Sequence, residues 1–452
     1  MGEWTKEAVI EAVKAAKTTR VKVAITDIDG ILRGKYIHKN KLLSALESGF
    51  GFCNVVFGWD AADVCYDNVK YTGWHSGYPD ADARLALETF RRVPWDDDVP
   101  FLLADFVDSS GAPLQICPRQ TLKRVIGEAE SKGFSPSVGV EFEWFNFRET
   151  PESLHQDAFR APKPLTPGMF GYSLIRAAQN RDYFVALMEE LPEFGLPLEG
   201  LHTETGPGVF EAAILYSDAL TAADRAVLFK TATKEIGQRF GIMPTFMAKI
   251  SPALPGCSGH IHQSLWKDGK PLFYDESEPH KISKIFRHYL AGVMHCLPEL
   301  LPCYAPTINS YKRLVEGMWA PTKVTWGLDN RTTALRVLGG SAKSTRLELR
   351  VPGADMNPYL GVAATIASGL YGIENELELA PMTTGNGYEA TGVEILPANL
   401  QDAAKRMMDS KVANEIMGEN FIQHFGDTRL WEWRQFQTAV TSWETERYFE
   451  II

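Results

Sequence analysis

The chain has 452 residues, 45% of them hydrophobic and 23% charged, with a formal net charge of -11. This is the balance of a folded globular protein with room for a large domain and a smaller one, and it excludes a low-complexity or disordered chain. The acidic surplus excludes a general nucleic-acid binder, which needs a basic face, and no apolar run reaches membrane-spanning length.

In chain order, residues 1–17 read as a short amphipathic helix; acids interrupt it, and it lacks the apolar core of a signal peptide. Residues 21–32 (VKVAITDIDGIL) alternate apolar and polar side chains and then turn at Asp-Gly, the pattern of a strand entering a hairpin. Residues 51–56 and 99–107 predict further strands, separated by a polar, aromatic and Gly-rich loop over 59–80. These elements predict a small mixed-sheet domain over residues 1–112 and a large α+β domain over 113–452. In the second domain a helix over 118–132 leads into a strand over 137–148 (SVGVEFEWFNFR). Strands then alternate with helices, such as those over 218–241 and 281–297, and the chain ends in helical segments. Pro/Gly-rich loops fall at 160–171 and 253–259. The six cysteines form no CxxC pair, so buried thiols in a reducing cytoplasm are expected, with no structural zinc.

The chemistry concentrates in short acidic, histidine and arginine motifs. Glu141 and Glu143 stand two apart on a strand, so both project from one face, where like charges repel unless a cation lies between them. Glu204 and Glu211 flank a Gly/Pro turn in HTETGPGVFE, and Glu348 and Arg350 share one face of RLELRV. Carboxylates in apolar surroundings are costly, and hard divalent cations such as Mg²⁺ or Mn²⁺ relieve that cost through oxygen ligands. His260 and His262 in SGHIHQSLW also have strand spacing and face one way. Arg313, Arg331, Arg336, Arg346 and Arg350 are interleaved with apolar residues, a setting for bound oxyanions. Acids for metals and arginines for anions are the tools of phosphoryl transfer, and the absence of GxxxxGK[ST] excludes a P-loop.

Over nearly its whole length the sequence resembles the glutamine synthetase family. The resemblance is carried by TDIDGILRGK, VEFEWF, HTETGPGVFE, SGHIHQSL, NSYKRL, NRTTALRV and RLELRVPGADMNPYL, in that order. It implies a β-grasp-like N-terminal domain and a glutamine synthetase-type catalytic domain, with two or three Mg²⁺ or Mn²⁺ ions and ATP per site. Glu143, Glu204 and Glu211 would hold the metal on the glutamate side, and Glu141, His260 and Glu348 the one that bridges phosphates. His262, Arg336, Lys343 and Arg346 match nucleotide or phosphate ligands. Arg313 and Arg350 match the arginines that orient glutamate, Arg331 the one beside the transferred phosphoryl group, and Gly256 a backbone position touching glutamate. The implied chemistry is ligation of the glutamate γ-carboxylate to an amine through γ-glutamyl phosphate. The implied assembly is a homo-oligomer of stacked rings, a dodecamer by family analogy, in the cytoplasm.

The sequence departs from the family around the nucleophile. Ammonia-using members carry a glutamate immediately before Ala-Pro in the loop after NSYKR, where this chain reads NSYKRLVEGMWAPT, with Trp319 at that position. Asp60 in FGWDAAD is the counterpart offered for a family aspartate in an Asp-Gly-Ser turn, and Pro255 precedes Gly256 where Asn is common. An indole in place of an acid favours an amine bearing an alkyl or aryl group over ammonium. The alternatives are an ordinary glutamine synthetase in which Glu316, three residues before Trp319, takes over as the acid, and a non-catalytic relative.

Overall fold

The computed structural model describes residues 4–452, so the first three residues of the expected N-terminal helix lie outside it. That helix runs Lys6–Ala15, capped by the Thr5 hydroxyl, which accepts the Ala8 N–H, and it buries Val9 and Val13. Strands β1 (Arg20–Thr26) and β2 (Leu32–His38) form the expected antiparallel hairpin. In its turn Asp27 Oδ1 accepts the N–H groups of Asp29 and Ile31 at 3.0 and 2.9 Å. Gly30 takes a φ of +80°, and a Cβ there would come within 2.9 Å of Asn357 Cα, so the turn needs glycine both to bend and to dock.

Four more strands follow: β3 (Phe50–Cys53), β4 (Asp80–Leu85), β5 (Arg91–Val93) and β6 (Val99–Phe106). They assemble in the order β2-β1-β6-β4-β3, with β5 on β6 and with β1 parallel to β6, which makes the sheet mixed. β4 was not expected. Its sequence, DADARL, carries too many acids to announce a strand, and only Ala83 is buried.

The helix Pro118–Ser131 leads into the second, larger sheet. Its strands are β7 (Ser135–Phe147), β8 (Leu198–Thr203), β9 (Val209–Ile214), β10 (Ser217–Asp218), β11 (Met243–Thr245), β12 (Gly259–Lys267), β13 (Lys270–Pro271), β14 (Trp326–Leu328), β15 (Leu335–Leu338) and β16 (Arg346–Leu349). The order is β14-β15-β16-β12-β7-β9-β8, with β10 and β11 on β7 and β13 on β12. Along β7 the even positions Val138, Val140, Phe142 and Trp144 are buried. Phe142 stacks on Phe229 of the helix Ala219–Gln238, and Trp144 meets the same ring edge-on at 5.4 Å. Period two then forces Glu141 and Glu143 to the opposite face. Behind the sheet lies the helix Pro358–Glu374, apolar all round and buried along most of its length. It approaches the helix Lys284–Cys296 so closely that a Cβ on Gly292 would sit 2.2 Å from the Ser368 carbonyl oxygen.

Candidate active site

Register builds the site in rows across the sheet. Glu143 on β7 pairs with Glu211 on β9, which pairs with His202 on β8. Glu141 pairs with His260 on β12, and His262 pairs with Glu348 on β16, which pairs with Arg336 on β15. Directly opposed residues share a face, so three acids, three histidines and an arginine from six strands project together with Glu141.

The distances are short. His260 Nδ1 lies 3.4 Å from Glu348 Oε1 and 3.8 Å from Glu141 Oε1, and His262 Nε2 lies 3.3 Å from Glu141 Oε2. His202 Nε2 is 3.3 Å from carboxylate oxygens of both Glu204 and Glu211. Glu143 accepts the Ser258 N–H at 2.6 Å. Arg336 Nη1 donates to Glu348 Oε2 at 2.8 Å, and Arg350 donates to the other oxygen of the same carboxylate. Arg313, only 2% exposed, donates to the carbonyls of Val351 and Arg350 and, among the described residues, pairs with no acid. Its charge is therefore available to a ligand.

Electrostatics follow from this crowding. Burial raises the Glu348 carboxyl, but His260, Arg350, His262 and Arg336 outweigh it and hold the group down at about 2. Burial lowers the His260 ring, and the nearby Arg350 lowers it further. Glu211 is pushed up, by burial and then by its neighbours Glu141 and Glu143, despite the hydrogen bond to His202. Burial lowers His202 as well, but Glu204 and Glu211 reverse this and hold the ring above its ordinary value.

The donor set fits divalent cations. Five glutamates converge on one face, and neither ring nitrogen of the buried His260 makes a hydrogen bond. Ligand atoms of His202, Glu204 and Glu211 all lie within 4.8 Å of one another. Carboxylate oxygens with an occasional imidazole suit Mg²⁺ or Mn²⁺. Beside them, a cleft of about 200 Å³ is lined by Glu141, Tyr216, His262, Trp266, Lys343 and Arg346, the expected nucleotide side.

On the other side, a recess of about 30 Å³ is bounded by Glu143, Glu204, Gly256, Arg313, Trp319 and Arg350. Trp319 holds a φ of +61° and leaves its indole about half exposed at the rim. Arg331 lies on the surface, and its carbonyl accepts Arg350 Nε at 3.2 Å.

Two expected participants are not brought in. Glu316 is exposed and turns away from the recess to Lys323, 3.4 Å distant, because the chain reverses at Gly317, whose φ is +77°. Asp60 caps its own loop, accepting the N–H groups of Ala62 and Val64, and takes the Trp431 indole N–H at 3.2 Å. It does not line the recess of its own chain. Sequence reasoning also passed over His202 and Tyr172, whose rings stack at 4.4 Å above the acids. The alternation that singled out Glu141 and Glu143 applies equally to His202 and Glu204, so His202 was within reach. Tyr172 sits in a loop, tied by its N–H to the Thr203 carbonyl, and no local pattern announces it.

The comparisons with known proteins agree with this geometry. The family model for the glutamine synthetase catalytic domain matches residues 115–448. A type-1 glutamine synthetase 2 of Dictyostelium discoideum is 54% identical over 99% of this chain and 87% of its own length. A glutamate–isopropylamine ligase of a Pseudomonas species is 35% identical, with all of both chains covered. Among solved structures, the ADP complex of GmaS superposes with a TM-score of 0.85 at 27% identity, covering 97% of this chain and 99% of the other. The chain belongs to the glutamine synthetase family of ATP-dependent carbon–nitrogen ligases.

Proposed function

We propose that the protein joins the γ-carboxylate of glutamate to a small hydrophobic monoamine, alkyl or aryl, giving a γ-glutamylamide, ADP and phosphate. The observation that carries this reading is Trp319. Its indole walls the recess that Glu143, Glu204, Arg313 and Arg350 also line, while the nearest alternative acid on that loop, Glu316, points elsewhere. Apolar contact with such a wall favours an alkyl or aryl group by roughly 1–3 kcal/mol over a bare ammonium. Arylamines are already neutral at pH 7, and they need no strong base to become nucleophilic.

In this reading Arg313 and Arg350 orient glutamate, while His262, Arg331, Arg336, Lys343 and Arg346 receive phosphate oxygens. The γ-carboxylate attacks the γ-phosphate of ATP, ADP leaves, and the amine then attacks the acyl phosphate and expels phosphate. Divalent cations held by Glu143, Glu204 and Glu211, and by Glu141, His260 and Glu348, would supply charge neutralisation between the two anions. The arginines add fixed positive charge where charge develops. The expected ring assembly belongs to the same proposal, because Asp60 can serve a recess only across a subunit boundary.

One observation favours a second reading, ammonia as nucleophile: the 54% identity to a Dictyostelium protein named a glutamine synthetase. Phosphate release, measured with glutamate, ATP and Mg²⁺ or Mn²⁺, separates the two when ammonia, ethylamine, isopropylamine and aniline are offered in turn. The highest kcat/KM is expected with an alkyl or aryl amine, and Trp319→Glu is expected to shift preference toward ammonia by about tenfold. Ammonia as the best substrate of the unaltered enzyme would establish the second reading. No release with any amine would point to a non-catalytic relative.

A further inference from the structure

The segment that carries Trp319 is held at one end by a half-buried cation. Lys323 keeps its side chain 17% exposed and donates from Nζ to the carbonyl of Tyr388 and, at 3.3 Å, to that of Ala390. The same ammonium lies 3.4 Å from Glu316, on the far side of the turn at Gly317. The backbone around Lys323 is paired to the same region: Val324 N–H donates to Glu394 and Leu396 N–H to Thr322. The mostly exposed residues 315–319 therefore run between buried Arg313 and buried Ala320, and Lys323 clamps the return.

The clamp's acceptor loop is itself tied to the segment that carries Arg331. Gly387 N–H donates to the Thr332 hydroxyl at 2.8 Å, and Asn330 Nδ2 to the Gly385 carbonyl, also at 2.8 Å. The Tyr388 ring is half-buried, and its hydroxyl, shut off from solvent, has no hydrogen-bond partner. One loop, residues 385–390, thus supports both the arginine expected beside the phosphoryl group and the indole expected beside the amine.

The recess is narrow, and Trp319 forms part of its wall, so the resting height of the Trp319 segment sets the room left for substrate and amine. What that segment packs against decides where the indole comes to rest. We propose that Lys323 is a positioning residue, which holds the Trp319 segment at one height over the acyl phosphate by clamping it to the 385–390 loop. This rests on the reading of Trp319 as a wall of the amine pocket, but not on which amine is used. A misplaced wall costs selectively at the second step, since glutamate and ATP are held by residues of the sheet and of buried Arg313.

The test uses the full-length protein as it assembles, with Lys323→Met and Lys323→Arg. For Lys323→Met, the KM of whichever nucleophile serves the unaltered enzyme best should rise about tenfold, while KM for ATP and for glutamate stays within about twofold. Release of phosphate without any amine, in which water attacks the acyl carbon and glutamate is regenerated, should increase. Lys323→Arg, which keeps the donors, should restore most of the amine KM. Retained KM values for ATP and glutamate report a folded sheet, so loss of folding is not mistaken for loss of the clamp. An unchanged amine KM in Lys323→Met, or equal rises in all three KM values without rescue by Arg, would overturn the proposal. The identity of the best nucleophile, read from the unaltered enzyme, tests the amine assignment separately.

Discussion

Two buried clusters of charge lie in this molecule, and they are finished differently. Where the small sheet meets the helices that back the large one, Arg119 is 2% exposed and gives Nε to Asp224, Nη1 to Asp105 and Nη2 to Glu88, at 2.7–2.9 Å. Lys123 reaches Asp105 as well, and the Tyr359 hydroxyl completes Asp224. In the candidate active site, Arg313 is equally buried but meets only carbonyls, and Glu141, Glu143 and Glu211 crowd one another. The junction satisfies charge with charge inside the chain. Among the described residues, the site pairs Glu348 with Arg336 and Arg350 but gives no Lys or Arg partner to Glu141, Glu143 or Glu211 and no acid to Arg313, leaving carboxylates for cations and a guanidinium for an anion. Burial and composition are alike in the two places, so what distinguishes a structural cluster from a receptive one is which partners are missing.

The largest expected effect is at the junction. Arg119→Met strands Asp105 and Asp224 without their shared cation and should lower unfolding stability by about 3–5 kcal/mol. Because Arg119 lies outside the recess and the cleft, kcat/KM per folded molecule should stay within a few-fold. Denaturant midpoints, read beside active-site titration, check both halves. A junction variant that kept its midpoint would show that the tripartite pairing is not what holds the junction together.

The site should answer in the opposite sense. Glu211→Gln removes a carboxylate that burial and its neighbours already penalise, so without metal the midpoint should hold or rise by roughly 1 kcal/mol. Activity should nonetheless fall by about 10²-fold, or about 2.7 kcal/mol of transition-state stabilisation. Added Mn²⁺ at a hundred times its Kd should stabilise the unaltered protein by about 2.7 kcal/mol, most of it lost in the variant. If the variant were destabilised without metal, Glu211 would belong with the junction residues as a structural acid.

Much of this contrast was readable in the chain. Period two on β7 places Glu141 and Glu143 together whatever the fold, and the same rule places His260 with His262 and Glu348 with Arg350. Which of these strands lie side by side is a matter of register, and no local pattern gives it. The crossing of β12 between β7 and β16 joins residues more than two hundred positions apart in sequence. β4 was hidden by its acids, and Tyr172 by its loop. Arg119 drew no notice, because an arginine in the first turn of a helix looks like a solvated surface residue until a second sheet covers it.

The smallest expected effect discriminates most sharply at the recess. Glu316 stands three residues before Trp319, close enough in sequence to be offered as the acid that prepares an ammonium. In the structure its side chain is 59% exposed and is turned by Gly317 toward Lys323. An exposed pair of this kind contributes little, roughly 0–1 kcal/mol, and Lys323 keeps its two carbonyl acceptors without it. Glu316→Gln should therefore leave kcat/KM for the best amine within about twofold, with no new acid limb in the pH–rate profile. A general base contributes about 10²-fold or more, so a loss of that size would mean that the loop swings Glu316 inward during turnover. The indole at Trp319 would then be packing for the loop, not the wall of an amine pocket.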